Sequence, residues 1–379
     1  MPDIQPRGGP PPPAPPRILS GETIGPWRVE RTLAFGDPAL VAAHADDGSG
    51  IQVVLKVVKA HRMAQTWQDR EVAALQSFDH PAIPRLVDSG RGSSLQFVAF
   101  RPFAPDTMAD RMFAGPVDLR LACTWLYAIA EALQHMHASG WVHGDVAPQN
   151  IHVADDGRAW LSGMASAQRI GEAPRFSEEL PTRTLTHLAP EVLADPDHAP
   201  PRADIYAFGC VAYELLSGES AFPAAAWAGR PDRDQMLLEW KTRHKDLDPG
   251  ATCPDWLRAL VRKCTRPDAQ ERLPDFDSVV SWLDASQGSW ELLSLEGTPM
   301  LTDRRSVELP KLSLQPSLVD PEVLAKAIAA QMVAQQLAQS PPPEPRADLY
   351  YLVAASAGMA AGLMVAVTII MYVELTWMA

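Results

Sequence analysis

The stretch His143-Gly144-Asp145-Val146-Ala147-Pro148-Gln149-Asn150 places a carboxylate and a carboxamide five residues apart. Asp145 can accept a proton from a hydroxyl, and Asn150 can offer one contact to a metal. Thirteen residues past Asn150 the chain reads Gly163-Met164-Ala165, with no carboxylate.

Composition bounds what surrounds this stretch. With 379 residues, 46% of them hydrophobic, the chain can bury a large core. Its formal net charge of -13 and lack of a dense basic run exclude a nucleic-acid binder, which needs a local Lys/Arg excess. Cys123, Cys210, Cys253 and Cys264 show no CxxC spacing, so they read as reduced thiols rather than metal ligands or a disulfide framework. No charged segment followed by an apolar run opens the chain, so no secretory signal is predicted.

Working outward, residues 1–23 read as a disordered Pro-rich tail, with Pro10 to Pro13, Pro15 and Pro16 favouring extended backbone. From 24 to 284 apolar periodicity is dense. Short β-branched runs come first, as in 51–58, and long helical patterns follow, which predicts an α+β domain with a small sheet-rich lobe before a larger helical one. Residues 285–348 read as a linker with one helix over 321–339, opened by Asp320 as N-cap and Pro321 at the first helical position.

Residues 350–373 carry no charge. At about 1.5 Å per residue such a run reaches about 36 Å, enough to cross a hydrocarbon core, so a single transmembrane helix is predicted over 349–373. Arg346 precedes the run and no Lys or Arg follows it, which predicts a cytoplasmic large domain and a short extracytoplasmic tail at 374–379. Gly358 and Gly362, extended by Ala354, give the span a small-residue face through which two copies could form a homodimer.

Over about 24–284 the order and spacing of the motifs resemble the eukaryotic-type, or Hanks-type, serine/threonine protein kinases found in bacteria. Val53-Val54-Leu55-Lys56 is similar to that family's Val-Ala-Ile-Lys strand, which implies that Lys56 contacts ATP phosphates with Glu71 as its ion-pair partner. The resemblance makes Asp145 the base and Asn150 a metal contact. It places Gly36 and Val41 in the phosphate loop, Val54 above the adenine, His152 below it, and Phe100 just before a hinge at 101–103. Asp204 would hold the backbone of the 143–150 loop, Arg272 would pair with Glu191 of Ala189-Pro190-Glu191, and Leu75, His143 and Met164 would stack in a hydrophobic spine. Ser177, Thr182, Thr184 and Thr186 lie in the implied activation segment, where phosphorylation could act.

Departures from the family set the functional expectation. Gly163 removes the main metal carboxylate, Gly144 and Ala147 remove two cations, and Leu33 to Val41 keeps only the middle glycine of three, with Pro38 removing a donor. ATP remains a candidate ligand, with Mg²⁺ held weakly by Asn150 alone. The favoured reading is a membrane-anchored pseudokinase that scaffolds or allosterically regulates a protein partner. The alternative is a weakly active ATP-dependent serine/threonine kinase acting on a protein substrate. A small-molecule phosphotransferase ranks below both, because that class lacks the Ala-Pro-Glu segment and its arginine.

Overall fold

Alternating burial along short strands builds the first lobe. In the computed structural model, which describes residues 16, 18–36, 38–172, 186–195, 200–222, 233–243 and 247–292, strands β1 (Thr23–Ile24), β2 (Trp27–Ala34), β3 (Ala39–Ala45), β4 (Gln52–Lys59), β5 (Leu86–Arg91) and β6 (Leu95–Phe100) form one antiparallel sheet in the order β1-β2-β3-β4-β6-β5. Along β3, Ala39, Val41, Ala43 and Ala45 are buried and the residues between them are not, the period of two expected of a strand with one covered face. They join Leu55, Val57, Phe97 and Ala99 in one apolar cluster. Helix α1 (Arg62–Leu75) begins at His61, whose ring accepts from the Ala64 N–H. Its Gln68 donates to the carbonyls of Gly90 and Phe97, which ties the helix to the β5–β6 hairpin.

The second lobe is helical. Helix α2 (Met108–Ala114) is followed by α3 (Leu119–Ala138), which buries Trp125, Leu126, Ile129, Leu133 and Met136 on one face, spacings of three and four. Two-stranded ribbons pair β7 (Trp141–Val142) with β10 (Gln168–Arg169) and β8 (Ile151–Val153) with β9 (Ala159–Leu161). After α4 (Pro190–Ala194) comes α5 (Pro201–Ser217), which starts on a proline and stops at Gly218 in the left-handed conformation. Helices α6 (Arg233–Arg243), α7 (Asp255–Cys264) and α8 (Phe276–Leu292) follow. A Cβ on Gly209 of α5 would lie 2.6 Å from that of Cys264, so only glycine lets α5 and α7 approach this closely.

Contacts divide the chain into Met1–Asp303 and Arg304–Ala379, and every described residue belongs to the first unit. The ordered part starts earlier than 24: Ile18 is buried in the sheet cluster, the Gly21 N–H donates to the Val29 carbonyl, and the Val29 N–H donates to the Glu22 carbonyl. One apolar side chain among prolines is too weak a pattern to reveal that seam. Helix α8 likewise runs past 284 to Leu292. The expected linker helix at 321–339, the span at 349–373 with Gly358 and Gly362, the tail at 374–379, and Ser177, Thr182 and Thr184 lie outside the described residues. Among the described residues no helix is long and apolar enough to cross a membrane.

Two buried cations fix the chain on either side of α4. Every N–H of Arg272 is used: two go to the Glu191 carboxylate at 2.6 and 2.7 Å, and the rest go to the carbonyls of Arg202, Arg266 and Pro267. Lys241 of α6, 1% exposed, donates to the carbonyls of Thr186 (2.7 Å) and Leu188 and lies over the rings of Phe222 and Tyr206. Burial pushes its pKa down to about 7, against the raising influence of Cys210, Glu191 and Glu214.

These contacts predict two outcomes. Arg272→Ala strands the Glu191 carboxylate and should lower unfolding free energy by about 3–5 kcal/mol; Arg272→Lys, which cannot reproduce the fork, should recover little of it. Chemical denaturation of the two variants checks this. For Lys241, folded and unfolded states are both protonated below pH 7, so the native state there carries the full burial cost. Between pH 7 and the ordinary lysine value the unfolded chain binds more protons, so wild-type stability should rise with pH relative to Lys241→Met. Melting temperatures of both proteins at pH 6 and pH 9 test the sign, and an unchanged difference would refute the assignment.

Candidate active site

The cleft between the lobes is organised by backbone hydrogen bonds. Asp204, 1% exposed at the start of α5, accepts from the backbone N–H of His143 (2.7 Å) and Gly144 (2.9 Å), and its Oδ2 lies 2.9 Å from His137 Nε2. Burial alone would raise this carboxyl, but the hydrogen bond and charge of His137, helped by His143, hold its pKa below the ordinary value. The His143 ring donates from Nε2 to the Ser162 carbonyl (2.9 Å) and accepts the Asp145 N–H at Nδ1 (3.1 Å). A carbonyl can only accept, so these two bonds fix the ring as the Nε2–H tautomer. The 143–145 turn is thereby joined to the strand leading into Gly163.

Lys56 of β4 and Glu71 of α1 meet across the first lobe, with Lys56 Nζ 2.8 Å from both carboxylate oxygens. Glu71 is buried and Lys56 partly exposed, so the ammonium faces the cleft from a held position. Leu75 and Met164 share the main core cluster, and His143 is fully buried. Val54 pairs across the sheet with Phe100. Gly36, with φ +154°, lies in the turn between β2 and β3.

Val41 is not with them. The register sets Val41 opposite Leu55, while Leu40 opposes Lys56 and Ala42 opposes Val54. Opposed residues share a face and neighbours alternate, so Val41 points into the sheet cluster on the face away from Lys56, and Leu40 and Ala42 share the face of Lys56.

Asp145 and Asn150 are bound to each other. Asn150 Nδ2 donates to the Asp145 carbonyl and to its Oδ2, both at 2.8 Å, and the Asn150 carbonyl accepts from the Ser162 N–H at 2.7 Å. Gly163 is in the left-handed conformation (φ +86°, ψ +28°). A Cβ there would lie 2.6 Å from Asn150 Cγ and 2.8 Å from both of its terminal atoms. The Asn150 carboxamide therefore occupies the space a side chain at 163 would need. Among the described residues no three His, Cys, Asp or Glu converge as a metal site. The donor set does not fit Mg²⁺, which is usually held through one or two carboxylates together with phosphates and waters: Gly163 supplies no carboxylate, and the Asn150 amide is turned onto Asp145.

His152 of β8, the expected floor of the adenine cleft, is 5% exposed. Burial pushes its pKa down to about 4, so the ring is neutral near pH 7, and Nδ1–H donates to the Pro105 carbonyl at 3.2 Å. Its ring and that of Phe103 meet in a T-shaped contact, 4.7 Å between centroids.

Tertiary contacts also bring in residues without a sequence signal. His137, six positions before His143, has no spacing that marks it as a partner of Asp204. His187 and Glu214, both buried, meet at 3.1 Å, and with Lys241 they hold the chain before α4. His187, Leu188 and Ala189 line a narrow cavity together with Asp145 and Val146.

Comparison with known proteins agrees with this arrangement. The protein kinase domain family matches residues 27–281. Serine/threonine-protein kinase PknJ of Mycobacterium tuberculosis is 28% identical over 221 residues, 56% of this chain and 37% of its own length. PknA of the same species is 29% identical over 218 residues, 55% and 50% of the two chains, and the probable kinase pknA2 of Bifidobacterium longum is 26% identical over 237 residues, 60% and 30%. The matched stretch thus spans half or less of these relatives. With the Lys56–Glu71 pair, the Asp204-bound loop and the Arg272–Glu191 fork in one fold, this chain belongs to the protein kinase family, among the Hanks-type serine/threonine kinases of bacteria.

Proposed function

We propose that the chain is a membrane-tethered pseudokinase, a kinase-fold module that binds and regulates a protein partner without transferring phosphate. The observation that carries this reading is the Asn150 carboxamide packed onto Gly163 and bonded to Asp145. Phosphoryl transfer rests on positioning and charge neutralisation, and losing one preorganised charge typically costs about a hundred- to a thousandfold in rate. The scaffold contacts need no metal or nucleotide. The uncharged run at 350–373 supplies the tether, Gly358 and Gly362 offer a face for a second copy, and the domain lies on the cytoplasmic side.

A slow serine/threonine kinase is the second reading, favoured by the Lys56–Glu71 pair at 2.8 Å and by relatives whose names make them kinases. In that reading Lys56 holds phosphate oxygens and Asp145, once released from Asn150, takes the hydroxyl proton.

Phosphotransfer from labelled ATP to a generic protein substrate separates the two. The full chain should give no more product than Asp145→Asn; product lost in both Asp145→Asn and Lys56→Ala would overturn the proposal. Gly163→Asp should not create activity, because the new side chain displaces Asn150. It should instead destabilise the fold by about 1–3 kcal/mol, the usual cost of a strained backbone position. A gain of about a hundredfold in transfer would favour the slow kinase. The tether predicts that the full chain stays in the membrane fraction after an alkaline wash, whereas a chain ending at 348 does not.

A further inference from the structure

The base end of the cleft holds an aromatic side chain that the activity does not call for. Phe103 lies between Phe100, the end of β6, and Thr107, the N-cap of α2. Its ring meets Phe100 at 5.9 Å, His152 at 4.7 Å and Trp160 at 6.4 Å between centroids, all within ordinary aromatic contact. The family resemblance puts Phe100 beside the adenine position, His152 below it and Val54 above it, and all three are buried, at 4%, 5% and 4% exposed.

The segment carrying the ring is also held down. His152 donates to the Pro105 carbonyl, the Val153 N–H donates to the Asp106 carbonyl at 2.9 Å, and Thr107 bridges to His152. Pro102 and Pro105 fix φ on both sides of Phe103 and restrict Arg101 and Ala104 before them. A Thr107–Asp110 capping box then fixes the entry into α2. Swinging the ring out requires moving a stiff strap that two backbone-directed hydrogen bonds pin to β8.

We infer that Phe103 occupies the place of the nucleotide base and is the residue that determines whether this cleft admits ATP. The inference deepens the proposal above and rests on it for the identity of the cleft, but not for the absence of phosphotransfer. A ligand that must displace the ring binds only the fraction of molecules in which the ring is out, so its apparent affinity falls by that fraction.

The test is titration of the full chain with ATP, with and without Mg²⁺, followed by thermal shift and by fluorescence of a trinitrophenyl ATP analogue. The variants are Phe103→Ala and Phe103→Val, the second keeping more of the local packing. Wild type should show no saturable binding at millimolar ATP, and at least one folded variant should bind about tenfold tighter or better, with or without metal. Wild-type binding that the variants leave unchanged or weaken would overturn the inference, and so would folded variants that fail to bind. Phosphotransfer separates this from the broader reading. A variant that binds ATP and transfers nothing upholds both, a variant that binds and transfers upholds the inference and ends the pseudokinase proposal, and a wild type that binds without transfer does the reverse.

Discussion

The buried carboxylate of Asp204 is the constraint on which the cleft depends. It accepts two consecutive backbone N–H groups at His143 and Gly144 and lies against the His137 ring, so one side chain from α5 fixes both the start of the 143–150 loop and the end of α3. A carboxylate 1% exposed is tolerable only when its lone pairs are filled, and here three donors fill them. The chain continues outward from that point. His143, once held, sets its own tautomer through Asp145 and Ser162, and Ser162 fastens the strand before Gly163 to Asn150. The geometry of Asp145 is thus inherited from α5.

Glycine at 163 changes what that inherited geometry can do. The backbone still turns through the left-handed region, but the absent side chain lets Asn150 fold inward and satisfy Asp145. The carboxamide donates to the carboxylate of Asp145 at 2.8 Å. Restoring a ligand at 163 is therefore not a simple addition, because the space has been filled by a neighbour whose hydrogen bonds would first have to break.

Contacts that join two spaced motifs are legible in the amino-acid sequence. Lys56 with Glu71, Asp204 with the loop and Arg272 with Glu191 are each of this kind. Val41 is not, because strand period alone cannot distinguish two registers one residue apart, and a single step sends a side chain to the opposite face. Lys241 reads as a solvated lysine in a polar helix; only packing against Tyr206 and Phe222 makes it a buried donor. Phe103 is visible as a hinge residue, yet nothing in the sequence says whether its ring faces solvent or His152. The seam at Ile18 is hidden for the same reason: burial of one side chain leaves no periodic trace.

Under the two proposals both ends of the cleft are filled by the chain itself, the metal end by Asn150 and the base end by Phe103, while Lys56 and Glu71 remain paired. A ligand can shift a conformational equilibrium only by its differential affinity for the two states. A core already closed by its own side chains offers a nucleotide little to differentiate, so under the proposed reading the outer surface of the domain has a shape set by folding rather than by nucleotide occupancy. Control of such a module then falls to whatever changes its local concentration. A membrane tether does this directly: confining two binding sites near one surface makes their meeting nearly intramolecular, which raises effective concentration without adding a contact.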